Sequence, residues 1–475
     1  MKGDFTRDSF SPGHGFTRVL AQQGRVQLDA DWNEQVAILW DYMRATVVDL
    51  IGPHAGPHGH CGFGILGPAD LAREVPGMDK EEREKLRKLL KDGGDFLIGS
   101  GNYYVEGFLC RNDLTPFAYS SQPYLPNCAP LKVDNAAHLV YLDVWERHLT
   151  QLEDARIGEV ALEGADTTTR AKLIWQVRTL ELHEKHRTCK ALAENWDDLL
   201  YEFRAKHRAY LRAMARLPAA EESDEAALAG PLAQYRGTEN RLYRVEIHDP
   251  GSIGDKPTFK WSRDNGTVVF PITSVDSQST PGKTLVTLGE SARDGRGAVT
   301  AGDLVEIVDD VYVLQNRAEP LLSVASVDEG GTVVTLQGTP ASNVGQDPTQ
   351  HPLLRRWDQK AGNPQHGGSE LRNGAAVIRE GVGDMNWMIL EDGVQVQFVK
   401  TDPPSHFSTG DYWLIPARTA TGDVVWPQSK DKPASLRPHG PHHYFAPLAI
   451  VEFGNEGRLK LVGDCRTKVK REVVE

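Results

Sequence analysis

The stretch of sequence that decides the fold begins with PTFKWSRDNGTVVFPITSV at residues 257–275. Four more short apolar runs follow it at intervals of about 8–15 residues, a spacing typical of β-barrels and β-sandwiches. They are KTLVTLG (283–289), GDLVEIVDD (302–310), LLSVASVD (321–328) and GTVVTLQG (331–338). Turn signals such as Asp264-Asn265-Gly266 and Gly330-Gly331 separate the runs. This stretch therefore predicts strands that form a barrel or a sandwich.

The β pattern continues on both sides of this stretch. GNYYVEGFLC at 101–110 alternates around Glu106-Gly107, which is a hairpin signal. HLVYLDVWERHLT at 138–150 and KLIWQVRTLEL at 172–182 are too apolar to be exposed on both faces. Further strands are predicted in NRLYRVEIHD (240–249), MNWMILEDGVQVQFV (385–399), GDYWLIPAR (410–418) and APLAIVEF (446–453). The predicted fold class is mainly β, multi-domain, with an N-terminal amphipathic helix and a helical insertion.

The N-terminal helix shows the clearest helical pattern. Its apolar residues follow one another in steps of three and four, which places them on one face. They are Trp32, Val36, Leu39, Met43, Val47 and Leu50, with Trp40 widening the stripe. Asp29 or Asp31 is expected to cap the start, Asp31 with Glu34 fits a capping box, and Gly52-Pro53 ends the helix. We expect this stripe to be buried, either against the helix's own domain or against a copy or partner.

Residues 1–28, which precede this helix, are predicted to be an extended arm. Gly13 and Gly15 flank His14, and Pro12 opposes helix formation. An apolar helix behind an irregular arm favours attachment over catalysis, and we expect the arm to lie across a neighbouring subunit. The predicted docking residues are Phe5, Phe10, Phe16, Trp32, Val36, Leu39, Trp40, Met43, Val47 and Leu50.

Elsewhere, a charged helix is predicted near residues 79–91, with Asp79 as its N-cap. A second is predicted from about 191 to 216, followed by an acidic tail at 219–230, and we expect this region to be a surface insertion between β elements. Five segments follow from these patterns. They are an arm and docking helix (1–52), a first β domain (53–182), the helical insertion (183–232), a second β domain (233–345) and a third (346–475).

Composition narrows the classes of function. The net charge is −13, which disfavours a general nucleic-acid binder. No apolar run approaches the roughly 18 residues that a spanning helix needs, and MKGDFTRDSF lacks the apolar core of a signal peptide, which predicts assembly in the cytoplasm. The five cysteines (Cys61, Cys110, Cys128, Cys189 and Cys465) are odd in number and contain no CxxC, which favours free thiols.

Signatures of catalysis are missing from the sequence: there is no P-loop, HExxH, GxSxG, kinase or dinucleotide motif. The sequence therefore predicts a protein without enzymatic activity or cofactors. Two histidine-rich loops are candidates for zinc or copper, because imidazole and thiolate bind these metals. Their residues are His54, His58, His60 and Cys61 in one loop and His439, His442 and His443 in the other. The first loop lacks the paired ligands of a structural zinc site, so an ordinary hydrogen-bonded loop is the favoured interpretation.

Tryptophan and carboxylate residues in the β regions leave a second function open. Exposed tryptophan beside acidic groups can grip a sugar by stacking and hydrogen bonding, although tryptophan on alternating strand positions usually belongs to the core. The tryptophans are Trp145, Trp175, Trp261, Trp357, Trp387, Trp413 and Trp426. Acidic pairs such as Asp309-Asp310 and Glu391-Asp392 are explained by turn chemistry, and their spacing does not place them as a catalytic pair.

Several blocks resemble one uncharacterised bacterial family whose members often occur beside phage-tail-like genes. The blocks are MKGDFTRDSF (1–10), FTRVLAQQGRVQLDADWNEQ (16–35), GNYYVEGFLC (101–110), LVYLDVWERHLTQLED (139–154), ALEGADTTTR (161–170), WQVR (175–178), TENRLYRVEIHD (238–249), TFKWSRDNG (258–266), LEDGVQVQF (390–398) and TGDYWLIPAR (409–418). The arm and the 101–110 hairpin are also similar to N-terminal regions of some phage tail-fibre proteins, where such segments anchor a fibre to a baseplate. The resemblance carries no catalytic residues.

This resemblance implies a structural part of a contractile injection particle: a fibre base, a baseplate accessory or a cap. The implied partners are other particle subunits (tube, sheath, baseplate or fibre proteins), with homo-oligomers following the particle's symmetry. Such a particle could be released from the cell. The alternatives are a glycan-binding or glycan-active protein that uses its tryptophans and carboxylates, and a metal-dependent enzyme that uses the histidine loops.

Overall fold

The structure is a computed structural model. It describes residues 1–67, 70, 79–91, 94–114, 116–131, 136–162, 166–183, 186–203, 208–216, 235–292, 297–453 and 459–470. Five α-helices lie in this part of the chain: Asp29–Ile51 (α1), Lys80–Lys91 (α2), Cys189–Glu194 (α3), Trp196–Phe203 (α4) and Asp310–Leu314 (α5). The acidic tail predicted at 219–230 lies outside the described residues.

Strands account for most of the regular structure. The first group is His54–Pro57 (β1), Ile65–Leu66 (β2), Leu97–Ile98 (β3), Gly101–Val105 (β4), Phe108–Asn112 (β5), Phe117–Ala118 (β6), Ala137–Leu149 (β7), Arg170–Glu181 (β8), Leu211–Ala215 (β9), Arg241–Ile247 (β10), Thr258–Ser262 (β11), Val269–Asp276 (β12), Lys283–Leu288 (β13), Leu304–Val308 (β14) and Leu322–Val327 (β15). The second group is Val333–Gln337 (β16), Leu353–Trp357 (β17), Leu371–Arg372 (β18), Ala375–Val377 (β19), Glu380–Gly381 (β20), Met388–Ile389 (β21), Val394–Val399 (β22), Tyr412–Arg418 (β23), Asp423–Val424 (β24), Gln428–Ser429 (β25), Lys432–Pro433 (β26), Tyr444–Phe453 (β27), Leu459–Asp464 (β28) and Lys468–Val469 (β29).

The stretch that decided the fold class forms a closed six-stranded barrel in the order β12-β13-β16-β15-β14-β17. Alternation explains its construction, because inward residues such as Val286, Val334 and Leu336 are fully buried while their neighbours face outward. Strands β10 and β11 belong instead to a six-stranded sheet, β18-β19-β11-β10-β23-β24. The prediction of a mainly β fold is confirmed.

That six-stranded sheet shares a core with a smaller sheet in which β22 pairs with β20, β21 and β9. Tyr243, Phe259, Phe398 and Trp413 fill the space between them. Strand β9 pairs with β22 in register from Leu211 to Ala215, so the helix predicted from about 191 to 216 is wrong at its C-terminal end. Helical spacing and alternation are hard to separate over so few residues.

The remaining sheets form a third core from both ends of the chain. Strand β7 is central in the sheet β28-β27-β7-β8 and is buried on both faces. One face packs on the sheet β29-β1-β4-β5, and the other is covered by Leu192, Trp196 and Leu199 of helices α3 and α4. The helical insertion therefore packs part of its surface against a sheet.

One further difference concerns the cysteines. Cys189 and Cys465 form a disulfide between residues 276 positions apart, so the interpretation of all five cysteines as free thiols is wrong for this pair. Cys61, Cys110 and Cys128 are free, as predicted. The five-segment division remains a prediction, although strand pairing joins residues 444–469 of its last segment to strands of 53–182.

Candidate docking surface

The first residues of the arm are held by the chain itself. The Asn265 side-chain amide donates to the backbone carbonyls of Met1 (3.0 Å) and Gly3 (2.8 Å). Phe5 is half-buried, with its ring 5.9 Å from that of His148 in an edge-on contact. Asn265 occupies a left-handed turn position (φ 53°), which asparagine tolerates better than most residues. The DNG turn at 264–266 therefore acts as a receptor for residues 1–3.

Lys2 enters a buried network of charges that connects the six-stranded sheet with the barrel. Its ammonium lies 3.1 Å from Glu246, which also accepts from Arg244 at 2.6 Å and lies 3.5 Å from Lys260. Lys260 in turn contacts Glu306 of the barrel at 2.6 Å. The network has three cations and two carboxylates. Such a network holds the strands in one arrangement, because each buried charge needs its partners.

The electrostatics of the network follow from burial and from this excess of positive charge. Burial first, and then the nearby Arg244, Arg355 and Lys260, lower the pKa of Lys2 to about 7, against the attraction of Glu246. Burial alone would raise the pKa of Glu246, but Lys2, Arg244 and Lys260 together hold it well below its usual value. Glu246 therefore stays ionised at neutral pH, whereas Lys2 titrates in that range.

Beyond Lys2, the arm runs beside helix α1. Asp29 accepts hydrogen bonds from the backbone N–H and the hydroxyl of Thr6. Ser9 donates to Glu34 at 2.7 Å, and Gln35 accepts from the Val19 N–H at 2.8 Å. Glu34 is therefore occupied by the arm. The predicted capping box of Asp31 and Glu34 is wrong, since the helix begins after Leu28 without a side-chain cap.

Helix α1 is fixed to the body by one side. Ala30 and Ile38 are buried, and Arg44 reaches the β4–β5 hairpin, where its guanidinium donates to the Glu106 carbonyl at 3.0 Å. The same guanidinium lies over the Phe108 ring at 4.1 Å. Trp40 meets Phe108 edge-on at 5.7 Å. The β4–β5 hairpin thus supports the middle of the helix.

The opposite side of α1 carries the predicted stripe, and most of it is exposed. Trp32 is 73% exposed and Leu50 is 78% exposed. The other exposed apolar side chains of the helix are Val36, Leu39, Trp40, Tyr42 and Met43, whereas Val47 is half-buried. The sequence left two possible coverings for this stripe: the helix's own domain, and a copy of the chain or another partner. The observed exposure excludes the helix's own domain as the covering of most of the stripe. A helix that is apolar on both sides normally has neighbours on both.

The arm adds further apolar surface next to this stripe. Phe16 is 61% exposed, and Leu20, Val26 and Leu28 are exposed as well. Phe10 is half-buried. The chain turns at Gly24 (φ 70°), where the Arg25 N–H donates to the Gln22 carbonyl. We call the exposed side of α1 together with residues 16–28 the docking surface. Exposed apolar side chains concentrated on one helix and the segment before it mark an interaction site more often than isolated exposed residues do.

A cleft of about 670 Å³ lies where residues 1–4 meet the sheets. His443 lines this cleft, and its imidazole lies 2.6 Å from the Asp143 carboxylate. Burial and nearby cations lower the pKa of His148 to about 3, and burial, with the positively charged chain start and His442, lowers that of His439 to about 4. Both imidazoles are therefore neutral in the folded protein near pH 7. The walls of this cleft carry polar groups, and several of these groups are already bonded to residues 1–3 of the chain itself.

The histidine loops are not brought together as a metal site. Within the described residues, no group of three His, Cys, Asp or Glu side chains could hold a metal ion. His54 packs on Tyr103, and His439 accepts from the Leu414 N–H at 3.1 Å. His58 and His60 are exposed, Cys61 is half-buried, and His442 and His443 line the cleft.

The tryptophans of the β regions are mostly core residues. The buried ones are Trp145, Trp175, Trp261, Trp357, Trp413 and Trp426, and Trp387 is half-buried. The acidic pairs have structural roles: Asp309 caps α5, and Glu391 bonds Arg263 and Tyr243. Neither set forms an exposed stacking platform in the described part of the chain.

Sequence reasoning missed the charge network at Lys2. Its members lie inside apolar strands: Arg244 and Glu246 alternate in RLYRVEI, and Lys260 lies in TFKWS. Charged residues that alternate within a buried strand are a usable signal, because a buried charge requires a partner. Lys2 could not have been connected to them without the fold.

Among the described helices, none combines the length and the apolar composition needed to span a membrane. A family model described as a family of unknown function (DUF6519) matches residues 1–198 and 187–465. The chain is also similar to a solved structure described as the crystal structure of TssK, with 10% sequence identity, 72% of this chain and 96% of that chain covered, and a TM-score of 0.17. A TM-score this low carries no argument. No curated protein matches the chain.

Proposed function

The chain belongs to the family of unknown function (DUF6519), whose description assigns no activity, and we propose that it is a non-enzymatic structural component of a phage-tail-like contractile injection particle. It docks on neighbouring subunits through the docking surface. Its position is that of a fibre base, a baseplate accessory or a cap. The β bodies form a rigid platform, and the arm and α1 make the attachment.

One observation carries this proposal: α1 is apolar on both sides, and only one side is covered by its own chain. Fully covering a large apolar side chain contributes about 1.5–3 kcal/mol, so leaving Trp32, Leu39 and Leu50 in water is expensive unless a partner covers them. The sequence resemblance to tail-fibre anchoring regions covers the arm as far as Gln35 and the 101–110 hairpin, and these segments adjoin α1. The surface and the resemblance therefore point to one role.

The cleft supports a structural role as well. Asn265 and Arg244 hold the backbone of residues 1–3, and Lys2 pairs with Glu246. These polar groups hold the beginning of the arm on its own chain. The arm is thus fixed at its beginning and presents its apolar residues beyond Phe10, which is the arrangement that a docking element requires.

The experiment is electron microscopy and co-purification of the native assembly from cells that carry Leu39→Glu with Met43→Glu. Both side chains are exposed, so the variant should fold normally, and we expect it to be lost from the particle. The matched control is Val160→Glu, because Val160 is also exposed but lies far from α1 in sequence. Normal incorporation of the double variant, or a wild-type protein that never accompanies sheath or tube proteins, would refute the proposal.

A further inference from the structure

The spacing of the exposed stripe specifies the kind of partner. Trp32, Val36, Leu39 and Met43 follow one another in alternating steps of four and three, and the pattern continues through Thr46 to Leu50. Alternating steps of four and three residues are the spacing by which helices pack side by side through knobs-into-holes contacts. Thr46 fits this seam because its hydroxyl already donates to the Tyr42 carbonyl at 2.8 Å. The spacing therefore suits a helix as the occupant of the stripe.

Charge defines the partner further. Residues 11–28 contain Arg18 and Arg25 and no acidic residue, whereas α1 contains five carboxylates and a single cation, Arg44. Among the described residues, Arg18, Arg25 and Asp49 have no ion partner. Asp49 lies in the last three residues of α1, at the negative end of the helix dipole, and that turn has no basic residue. A cation from elsewhere would therefore be stabilised at the C-terminal end of α1.

Arg25 cannot supply that cation to its own helix. Residues 20–28 form a loop closed by the Val19–Gln35 hydrogen bond at one end and by the start of α1 at Asp29 at the other. The Cα of Arg25 lies four residues before Asp29 and therefore at most about 14 Å from it. Asp49 lies roughly 30 Å along the helix from Asp29 at 1.5 Å per residue. The remaining distance of about 16 Å is more than an arginine and an aspartate side chain span together, which is about 10 Å.

We propose that a second copy of this chain covers the docking surface: two α1 helices pack antiparallel, and the arm loop of each copy reaches the C-terminal turn of the other's helix. An antiparallel pair places each loop, which starts near the N-terminal end of its own α1, beside the neighbour's Asp49. Arg18 and Arg25 then supply the missing cation in both directions, as in any two-fold symmetric contact. This inference rests on the docking role and names its partner.

The first test is the mass of the purified full-length chain in solution. We expect a dimer of twice 52.5 kDa, about 105 kDa, at micromolar concentration. Leu39→Glu with Met43→Glu should give the 52.5 kDa monomer with an unchanged circular-dichroism spectrum, and Val160→Glu should remain a dimer. A wild-type monomer overturns the proposal. So does a double variant that still dimerises.

The second test concerns the exchanged arms. Asp49→Arg should weaken the dimer about three- to tenfold, as expected for the loss and reversal of two symmetric exposed ion pairs. Combining Asp49→Arg with Arg18→Asp, or with Arg25→Asp, reverses both charges of a proposed pair. One of these two double variants should regain the wild-type dimer affinity. If neither combination restores it, the arms are not exchanged as proposed.

The outcomes separate this inference from the docking function. The wild type could prove monomeric while the stripe variant is still lost from the particle. That result would refute pairing with a second copy and leave the docking role intact, with a helix of another subunit as the partner. A dimer whose stripe variant is still incorporated would refute the docking role and leave the pairing intact.

Discussion

A single residue in the cleft makes the protein sensitive to acid. Burial first, and then nearby cations, lower the pKa of His148 to about 3. The unfolded chain binds a proton on this imidazole below about pH 6.5, whereas the folded chain does not until the pH approaches 3. This contribution to stability is therefore complete above pH 6.5 and is lost as the pH falls from there toward the folded value. At pH 5 the loss lowers the free energy of unfolding by about 2 kcal/mol.

His148→Gln tests this directly. Urea denaturation at pH 7 and pH 5 measures how much stability each protein loses on acidification. The loss in the variant should be about 2 kcal/mol smaller than in the wild type, because one titrating group has been removed. The control is His14→Gln, since His14 is exposed and should leave the loss unchanged. A variant as acid-sensitive as the wild type would contradict the assignment.

At the scale of elements, the β4–β5 turn determines how α1 sits on the body. Gly107 has φ 79°, and a Cβ there would lie 2.7 Å from the Cα of Arg44. Gly107→Ala would force the helix backbone away and strain the turn, so we expect a loss on the order of 2 kcal/mol. Amide hydrogen exchange within Asp29–Ile51 should accelerate.

Gly59→Ala is the matched control, because a Cβ at Gly59 would meet open space. Its exchange pattern and melting temperature should equal those of the wild type. If Gly107→Ala leaves the exchange of α1 unchanged, the helix is not supported by this hairpin.

The elements also show how far the sequence could be interpreted. Helix α1 and the 101–112 hairpin were predicted because their signals are local: a repeat of three and four, and a turn between alternating residues. Strand β9 was missed because its partner, β22, lies about 180 residues away and local propensity favoured a helix. A still larger separation in sequence hid the contact of Lys2 with Glu246. Local patterns revealed the docking surface, whereas only the fold showed that its own chain leaves it open.

At the scale of the whole molecule, the charge network connects the six-stranded sheet to the barrel. Glu306 of β14 accepts from Lys260 of β11 at 2.6 Å and from the Trp357 indole at 2.8 Å. Glu306→Gln leaves the buried Lys260 undercompensated, so we expect the free energy of unfolding to fall by about 3–5 kcal/mol. Glu81→Gln should change it by less than about 1 kcal/mol, because Glu81 and Lys85 form an exposed pair. Equal effects in the two variants would show that the network does not connect the two bodies.

At the same scale, the disulfide connects the middle of the chain to its C-terminal region. Cys189 begins α3, and Cys465 directly follows β28, so the bond joins the helical cover of a sheet to that sheet's edge strand across 276 positions of sequence. A covalent link between positions so far apart restricts the unfolded chain strongly, and its loss typically costs about 2–5 kcal/mol.

Cys189→Ser with Cys465→Ser should therefore melt at a lower temperature than the wild type, and a reductant should lower only the wild type's value. Cys61→Ser with Cys128→Ser is the control, because both thiols are free and the reductant should act on it as on the wild type. If reductant leaves the melting temperature of the wild type unchanged, the disulfide does not stabilise the fold. The packing of α3 and α4 on the sheet would then hold this region in place by itself.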